Sequence, residues 1–434
     1  MIDNAPLYNL KAVIHETGLG PETLRAWERR YGLLKPQRSP GGHRLYSQDD
    51  IEMLKWLVAR QKEGLSISHA VEMWRRLEKD GQDPRQQTQF ATQVLNVSGS
   101  TLDDLRHGWI TACLAFDEQS AERSLSQAFA IADPEIACTE VLQKGLAEIG
   151  YRWYQGVISV QQEHFASALA MRRINTISSA TPPPTRPERI LAACPPGEEH
   201  EFILLLAAFL LRRRGWDVVY LGANVPLSQL DETLRLNLPS LILSVAQTLN
   251  SAATLREMAE YVNTQGVPLV YGGGIFTMSP AITERIPGYY LGNEVAAIPQ
   301  IVEHLLSMMP PLPNPLPISP EYKQTMATFV ENEARIIAYV TQAMRPDQLE
   351  PAHLENANSY FSRDLISALS LGDIHFLDHS VGWLLGLLEN HGLSPSLAGR
   401  YFTAYRQAVQ RYLGNHGSPI LDWFTKVSQS AQVK

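Results

Sequence analysis

Residues 190–211 read Ile-Leu-Ala-Ala-Cys-Pro-Pro-Gly-Glu-Glu-His-Glu-Phe-Ile-Leu-Leu-Leu-Ala-Ala-Phe-Leu-Leu. A four-residue apolar run, a Pro/Gly loop and an apolar helix follow one another without a break. That is the strand–loop–helix unit of an α/β layer. Outward from it, the runs Val218–Leu221, Leu241–Leu243 and Pro268–Tyr271 alternate with helical stretches that end in Gly or Pro. Strands this apolar belong to a parallel sheet covered on both faces. Residues 187–308 therefore read as a doubly wound, Rossmann-like or flavodoxin-like domain.

Proline-rich hinges mark where that domain stops. Thr181-Pro-Pro-Pro-Thr-Arg-Pro187 precedes it and Pro310-Pro-Leu-Pro-Asn-Pro-Leu-Pro317 follows it. Both read as stiff extended spacers. A polar stretch from Lys79 to Pro84 makes a third break, leaving segments 1–80, 88–180, 187–308 and 320–434. Residues 88–180 show helical spacing at Leu102, Leu105, Trp109, Ala112 and Cys113. Asp117 and Asp133-Pro134 read as helix starts, and Ser159 with Gln162 as a capping box, so a four-helix bundle is expected. Residues 320–434 read as an all-α domain. There His375 and His379 share a helical spacing near Asp373 and Asp378, better read as solvated polar positions than as a metal pair. Trp383, Leu384, Leu385, Leu387 and Leu388 make an apolar stripe. The stretch from Ala368 to Ile374 loosely echoes Ala112–Asp117, and the domain is expected to mediate oligomerisation or to hold a protein partner.

Composition narrows the class. The 434 residues are 44% hydrophobic and 19% charged, which excludes general disorder. No 18-residue apolar run and no basic-then-apolar leader are present, so a cytoplasmic protein without membrane contact is expected. Cys113, Cys138 and Cys194 match no paired or metal-binding spacing and read as buried apolar residues. The net charge of −8 is unevenly placed: residues 1–46 carry seven Lys/Arg against four acids, or +3, leaving −11 on the rest. Only the head is electrostatically suited to a polyanion.

Within that head, Asn9 can cap a first helix and Pro21 can start a second running to Tyr31. Ser47 with Asp50 makes a cap for a third, and Ser66 for a fourth. The second helix carries Arg25, Trp27, Arg29, Arg30 and Tyr31, and a Gly-rich turn adds Arg38, His43, Arg44 and Tyr46. The order Thr23-Leu-Arg-Ala-Trp-Glu-Arg-Arg-Tyr-Gly-Leu-Leu-Lys-Pro-Gln-Arg, then Gly-Gly-His-Arg-Leu-Tyr-Ser-Gln-Asp-Asp-Ile, closely resembles the MerR family of winged helix-turn-helix regulators over residues 8–78. The resemblance implies a dimer or higher oligomer on palindromic double-stranded operator DNA. Thr23, Arg25, Arg29, Arg30 and Tyr31 would face the groove, Arg38, His43, Arg44 and Tyr46 would lie on the wing, and Trp27 would belong to the core.

What the head answers to must lie downstream. The helical hairpin brings Trp153 and the Glu163-His164 pair to one end of the bundle. His200, with Glu198 two residues before it, sits on the loop after the first strand, where parallel sheets bind ligands. A histidine there suits a late transition metal, and the neighbouring carboxylate can tune it. Ser244 and Gly272-Gly273 close later strands at the same edge. Together these residues resemble the cobalamin-binding module of light-sensing MerR regulators of the CarH type, on Trp153-x9-Glu163-His164 and Glu198-x-His200, across residues 8–308. The resemblance implies adenosylcobalamin, with His200 as lower cobalt ligand, Trp153 and Glu163 against the upper group, and His164 as an upper ligand after photolysis. Glu198, Ser244, Gly272 and Gly273 would complete the cofactor site of a non-enzymatic repressor. The family motif continues to a glycine where this chain has Ile203, so the corrin or its tail is expected to be crowded. Two other readings fit the residues: a cofactor-free regulator answering to a protein, and a cobalamin-dependent methyltransferase component.

Overall fold

Capped helices and apolar strands form close to where the residues call for them. A computed structural model describes residues 8–17, 19–32, 34, 37–38, 42, 44–62, 67, 70–71, 74–75, 101–345, 351–390 and 395–431. The helix expected after Ser66 lies largely outside them. The chain forms two compact units, Met1–Ser100 and Thr101–Lys434.

In the first unit, strands β1 (Tyr8–Asn9), β2 (Gln37–Arg38) and β3 (Arg44–Tyr46) form an antiparallel sheet in the order β1-β3-β2. The Asn9 side chain accepts from the Ala12 N–H at 3.0 Å and starts helix α1 (Leu10–Thr17). Pro21 opens α2 (Pro21–Tyr31), and Gly32, left-handed at φ 61°, closes it. Ser47 and Asp50 cap α3 (Gln48–Lys62) reciprocally. The α1–α3 faces meet over a small aromatic core in which Trp56 and Trp74 stand edge to face at 5.4 Å.

The second unit begins with the bundle: α4 (Leu102–Leu114), α5 (Glu118–Ile131), α6 (134–154) and α7 (Val160–Ser179). Asp117, Asp133 and Ser159 cap three of these helices. Helix α6 contains a π-helical turn, Cys138–Gln143, before its final stretch Lys144–Tyr154. The sheet follows, with β4 (Arg189–Ala193), β5 (Asp217–Gly222), β6 (Leu241–Val245), β7 (Leu269–Gly272) and β8 (Tyr289–Tyr290), all parallel in the order β5-β4-β6-β7-β8. Helices α8 (Phe202–Arg213), α9 (Leu230–Asn237) and α10 (Leu249–Thr264) connect the strands. A one-turn α11 (Gly274–Met278) and then α12 (Ile298–Met308) complete the layer. The chain runs from β4 outward to β5 and then back across to β6. The crevice beyond the carboxyl ends of β4 and β6 is thus the topological switch point.

Alternate residues of the strands feed two cores. Ile190, Ala192, Leu241, Leu243 and Val270 pack with α8, α12 and the bundle, while Leu191, Ile242, Leu269 and Tyr271 pack with α10. Five C-terminal helices, α13 (Pro320–Ala343), α14 (Pro351–Leu371), α15 (Leu377–Asn390), α16 (Pro395–Leu413) and α17 (Ser418–Ala431), share that second core. Phe361, Tyr405, Trp423 and Phe424 form its aromatic centre, and Arg256 of α10 donates to the Ser370 carbonyl at 2.9 Å. The C-terminal helices also touch the bundle. Asn390 donates to the Tyr154 carbonyl at 3.0 Å, and a Cβ on Gly386 would fall 2.0 Å from the Tyr154 hydroxyl. The echo between 368–374 and 112–117 is realised as one local device. A left-handed residue (Phe116, φ 56°; Gly372, φ 80°) precedes an aspartate that caps the next turn.

His375 lies in a 3-10 turn, Ile374–Phe376, rather than on the regular helix with His379, and its Nδ1 meets Asp378 at 3.1 Å. No metal-binding cluster occurs among the described residues, nor any helix long and apolar enough to cross a membrane. The side chains of Trp383, Leu384, Leu387 and Leu388 are outside the described set.

All three cysteines are fully buried. Burial pushes the Cys113 and Cys138 thiols up to about 12, and Cys194 higher still. The reactive thiolate is therefore scarce as well as shielded. No native thiol should react with a disulfide reagent at pH 8 within minutes, whereas all three should react in denaturant; a stoichiometric thiol assay checks this.

Candidate DNA-binding and cofactor sites

Helix α2 presents Thr23, Arg25, Arg29 and Arg30 on its exposed positions. Arg25 and Arg29 are four residues apart and share a face. Tyr31 is partly buried with the Arg30 guanidinium 5.7 Å from its ring centre, and its carbonyl accepts from Arg75. Trp27 is core, as its place in the pattern suggests. On β3, Arg44 pairs with Glu28 of α2 at 3.3 Å, bracing the hairpin against the helix. Arg38 lies on β2, and His43 is outside the described residues. The expectation for Tyr46 is corrected: its side chain is only 1% exposed and belongs to the head's core. Tyr46 pairs with Tyr8 across the sheet, and its ring closes the apolar face instead of lying on the wing surface.

The second site is built at the switch point. The loop after β4 is tied down on all sides. Gly197, at φ 80°, donates to Asn224 at 2.8 Å, Thr254 donates to the Pro196 carbonyl at 2.7 Å, and Val225 N–H reaches the Cys194 carbonyl at 3.1 Å. This rigid loop carries Glu198, 1% exposed, and His200, whose side chain is 71% exposed. Glu198 Oε1 holds His200 Nδ1 at 2.8 Å and also accepts the His200 N–H. A proton on Nδ1 shared with a carboxylate leaves the lone pair on Nε2, the arrangement that makes a histidine a strong metal ligand.

The electrostatics agree with a working pair. Burial alone would raise the Glu198 carboxyl, but hydrogen bonds from His200, Ser251 and the Gln247 N–H outweigh it and hold it below the usual carboxylate range. The Glu198 hydrogen bond raises the His200 imidazole despite partial desolvation, and the charge of Glu163 adds to the effect. Glu163 stands on α7 of the bundle, so the cap and the sheet loop face each other closely enough to interact. Beside it, His164 Nδ1 meets Glu163 Oε2 at 2.8 Å while Ser167 donates to Oε1 at 2.6 Å. The His164 side chain is 75% exposed, and Trp153 is half-buried near the end of α6.

From Glu198 a chain of hydrogen bonds runs inward. Its Oε2 accepts the Gln247 N–H at 2.6 Å, and the Gln247 side-chain oxygen accepts the Gly274 N–H at 2.8 Å. Gly272, Gly273 and Gly274 there wall a cavity of about 190 Å3, together with Gln143, Ile203 and residues that follow β8. Gly273 has φ 127°, and a Cβ on it would lie 1.9 Å from the Ala246 carbonyl oxygen. Only a glycine lets these two loops approach so closely.

Ser244 is corrected. It is fully buried and donates to the Ala193 carbonyl at 2.6 Å. Strand alternation turns Leu243 and Val245 toward the cavity and Ser244 to the other face, so its hydroxyl serves the β4–β6 edge. Gln247, Gln143 and Asn293 were not singled out from the sequence. Gln247 could have been found, because it follows β6 at the carboxyl edge; Gln143 depends on how the π-turn of α6 packs.

A histidine nitrogen on a tethered loop, a glycine-lined slot behind it and a helical cap that bears Trp153 fit a flat cobalt corrinoid. Residues 8–77 match the MerR HTH family regulatory proteins, and residues 105–177 and 188–301 each match a B12 binding domain. The HTH-type transcriptional repressor CarH of Myxococcus xanthus is 31% identical over 66% of this chain and 95% of its own. The HTH-type transcriptional repressor CarA of the same organism is 34% identical over 51% of this chain and 70% of its own. Among solved structures, the monomethylamine corrinoid protein of Methanosarcina barkeri is similar at 17% identity, covering 46% of this chain and 96% of that one with a TM-score of 0.39.

The fold and these matches thus define a DNA-binding transcription regulator that depends on cobalamin. The chain belongs to the family of MerR-type regulators that includes CarH and CarA.

Proposed function

We propose that this regulator is a repressor whose self-association and operator binding are set by light through adenosylcobalamin. The observation that carries the reading is the His200 imidazole fixed by the buried Glu198 carboxylate, with Glu163 of the cap close enough to act on it. His200 would hold the cobalt through Nε2, and Glu198 would keep that ring in one tautomer and one orientation. Adenosylcobalamin supplies a cobalt–carbon bond that visible light breaks. Trp153 would offer an aromatic surface to the cofactor's organic group, and Glu163 a carboxylate acceptor. His164, exposed and hydrogen-bonded to Glu163, would be available as a further nitrogen donor to the metal. A cap held by one ligand group is a two-state element, and its displacement would alter the surface through which copies associate. Joined heads bind an operator far more tightly than single ones, so loss of assembly releases DNA.

The test is reconstitution of the full chain with adenosylcobalamin in darkness, followed by green light. A coloured dimer or tetramer that retains operator DNA should become smaller and let go after illumination. Unchanged size and unchanged DNA binding would overturn the proposal.

A further inference from the structure

The glycine-lined cavity also has side-chain walls, and Ile203 and Gln143 both stand on them. Ile203 lies in the first turn of α8, and the eight residues that follow it, Leu204–Leu211, are all essentially fully buried. The helix is thus clamped along its length, and a β-branched side chain has little rotameric freedom. Gln143 ends the π-turn of α6, directly after the fully buried Val141 and Leu142. Two residues on, Gly145 packs so tightly on Trp109 that a Cβ would meet the indole at 2.7 Å. The floor is equally fixed, since Gly274 is tied through Gln247 to Glu198. Moving either helix backbone to widen the slot would move a core.

We infer that Ile203, with Gln143 lining the same cavity, makes the slot select among corrinoids by the size of the lower nucleotide base. A corrinoid whose base is small or absent is favoured over one carrying dimethylbenzimidazole. This rests on the cobalamin reading above, with the slot taking the nucleotide tail while His200 holds the metal. The polar side chains that line the cavity, Gln143, Gln247 and Asn293 among them, suit a compact polar tail better than a bulky apolar ring.

Full-length protein is titrated in the dark with aquocobalamin and with cobinamide, which has the same ring and metal but no nucleotide. Binding is followed by the visible spectrum and by retention through desalting. The unaltered chain should hold cobinamide at least as tightly as cobalamin. Ile203→Gly should shift the affinity ratio toward cobalamin by about tenfold or more, the scale of relieving a one- or two-carbon misfit in an apolar pocket. Ile203→Ala, gentler on the helix start, should shift it the same way by less. Binding of both corrinoids with a ratio that neither substitution moves would overturn the inference and leave the cobalamin reading standing. Failure of every variant to bind either corrinoid would overturn that reading itself.

Discussion

Replacing His200 by Ala should give a folded protein that comes off a desalting column colourless after incubation with cobalamin in the dark. The imidazole is the one nitrogen donor on the described part of the loop after β4, and Glu198, fixed by three hydrogen bonds, holds its Nδ1 at 2.8 Å. On the proposed reading, losing the donor would remove the metal bond outright, and disabling only the carboxylate would leave the bond but free the ring. Glu198→Gln should accordingly retain some colour, with affinity lower by about 10–100-fold. The exposed His200 side chain makes few packing contacts, so the thermal unfolding of the Ala variant should stay close to that of the unaltered chain. A variant as coloured as the parent would show that another group holds the metal.

Gly273→Ala should be the most damaging small substitution in the α/β layer, lowering stability by about 2–4 kcal/mol. Two effects add. The backbone at φ 127° is one that L side chains rarely adopt, and the new methyl would lie 1.9 Å from the Ala246 carbonyl oxygen. Ala246 follows β6, and its N–H donates to the Gly272 carbonyl at 3.0 Å, so relief would break the join between β6 and β7. Gly272 is the control. It has no left-handed backbone, and the nearest atom to a Cβ there is 4.0 Å away. Gly272→Ala should unfold within about 1 kcal/mol of the parent in chemical denaturation. Equal behaviour of the two variants would mean that the loops adapt and that the glycine is not needed for their approach.

Local physics explains which features were legible. The caps at Asn9, Ser47, Asp117, Asp133 and Ser159 stand where side-chain chemistry puts them, because each rests on hydrogen bonds to residues two or three positions along. Four strands of the sheet follow from apolar runs alone. The fifth, Tyr289–Tyr290, is two residues long at the sheet edge and carries no such run. Motif position places Ser244 at the cofactor, whereas the two-residue alternation of β6 turns Leu243 and Val245 to the cavity and Ser244 away from it. Tyr46 shares its strand face with Arg44, and what buries its ring is the packing of that face on the head's core.

The amino-acid order by itself determined the capped helices, the parallel strands, the basic head and the pairing of Glu198 with His200, since all are set by neighbours within a few positions. Only the tertiary structure decided that Gln247 links Glu198 to Gly274, that Ile203 and Gln143 line one cavity, and that the C-terminal helices share the core of α10 and reach Tyr154. Those relations join residues 27 to 236 positions apart, or depend on which helix face is buried. Periodicity can show that a face is apolar; it cannot show which distant face will cover it.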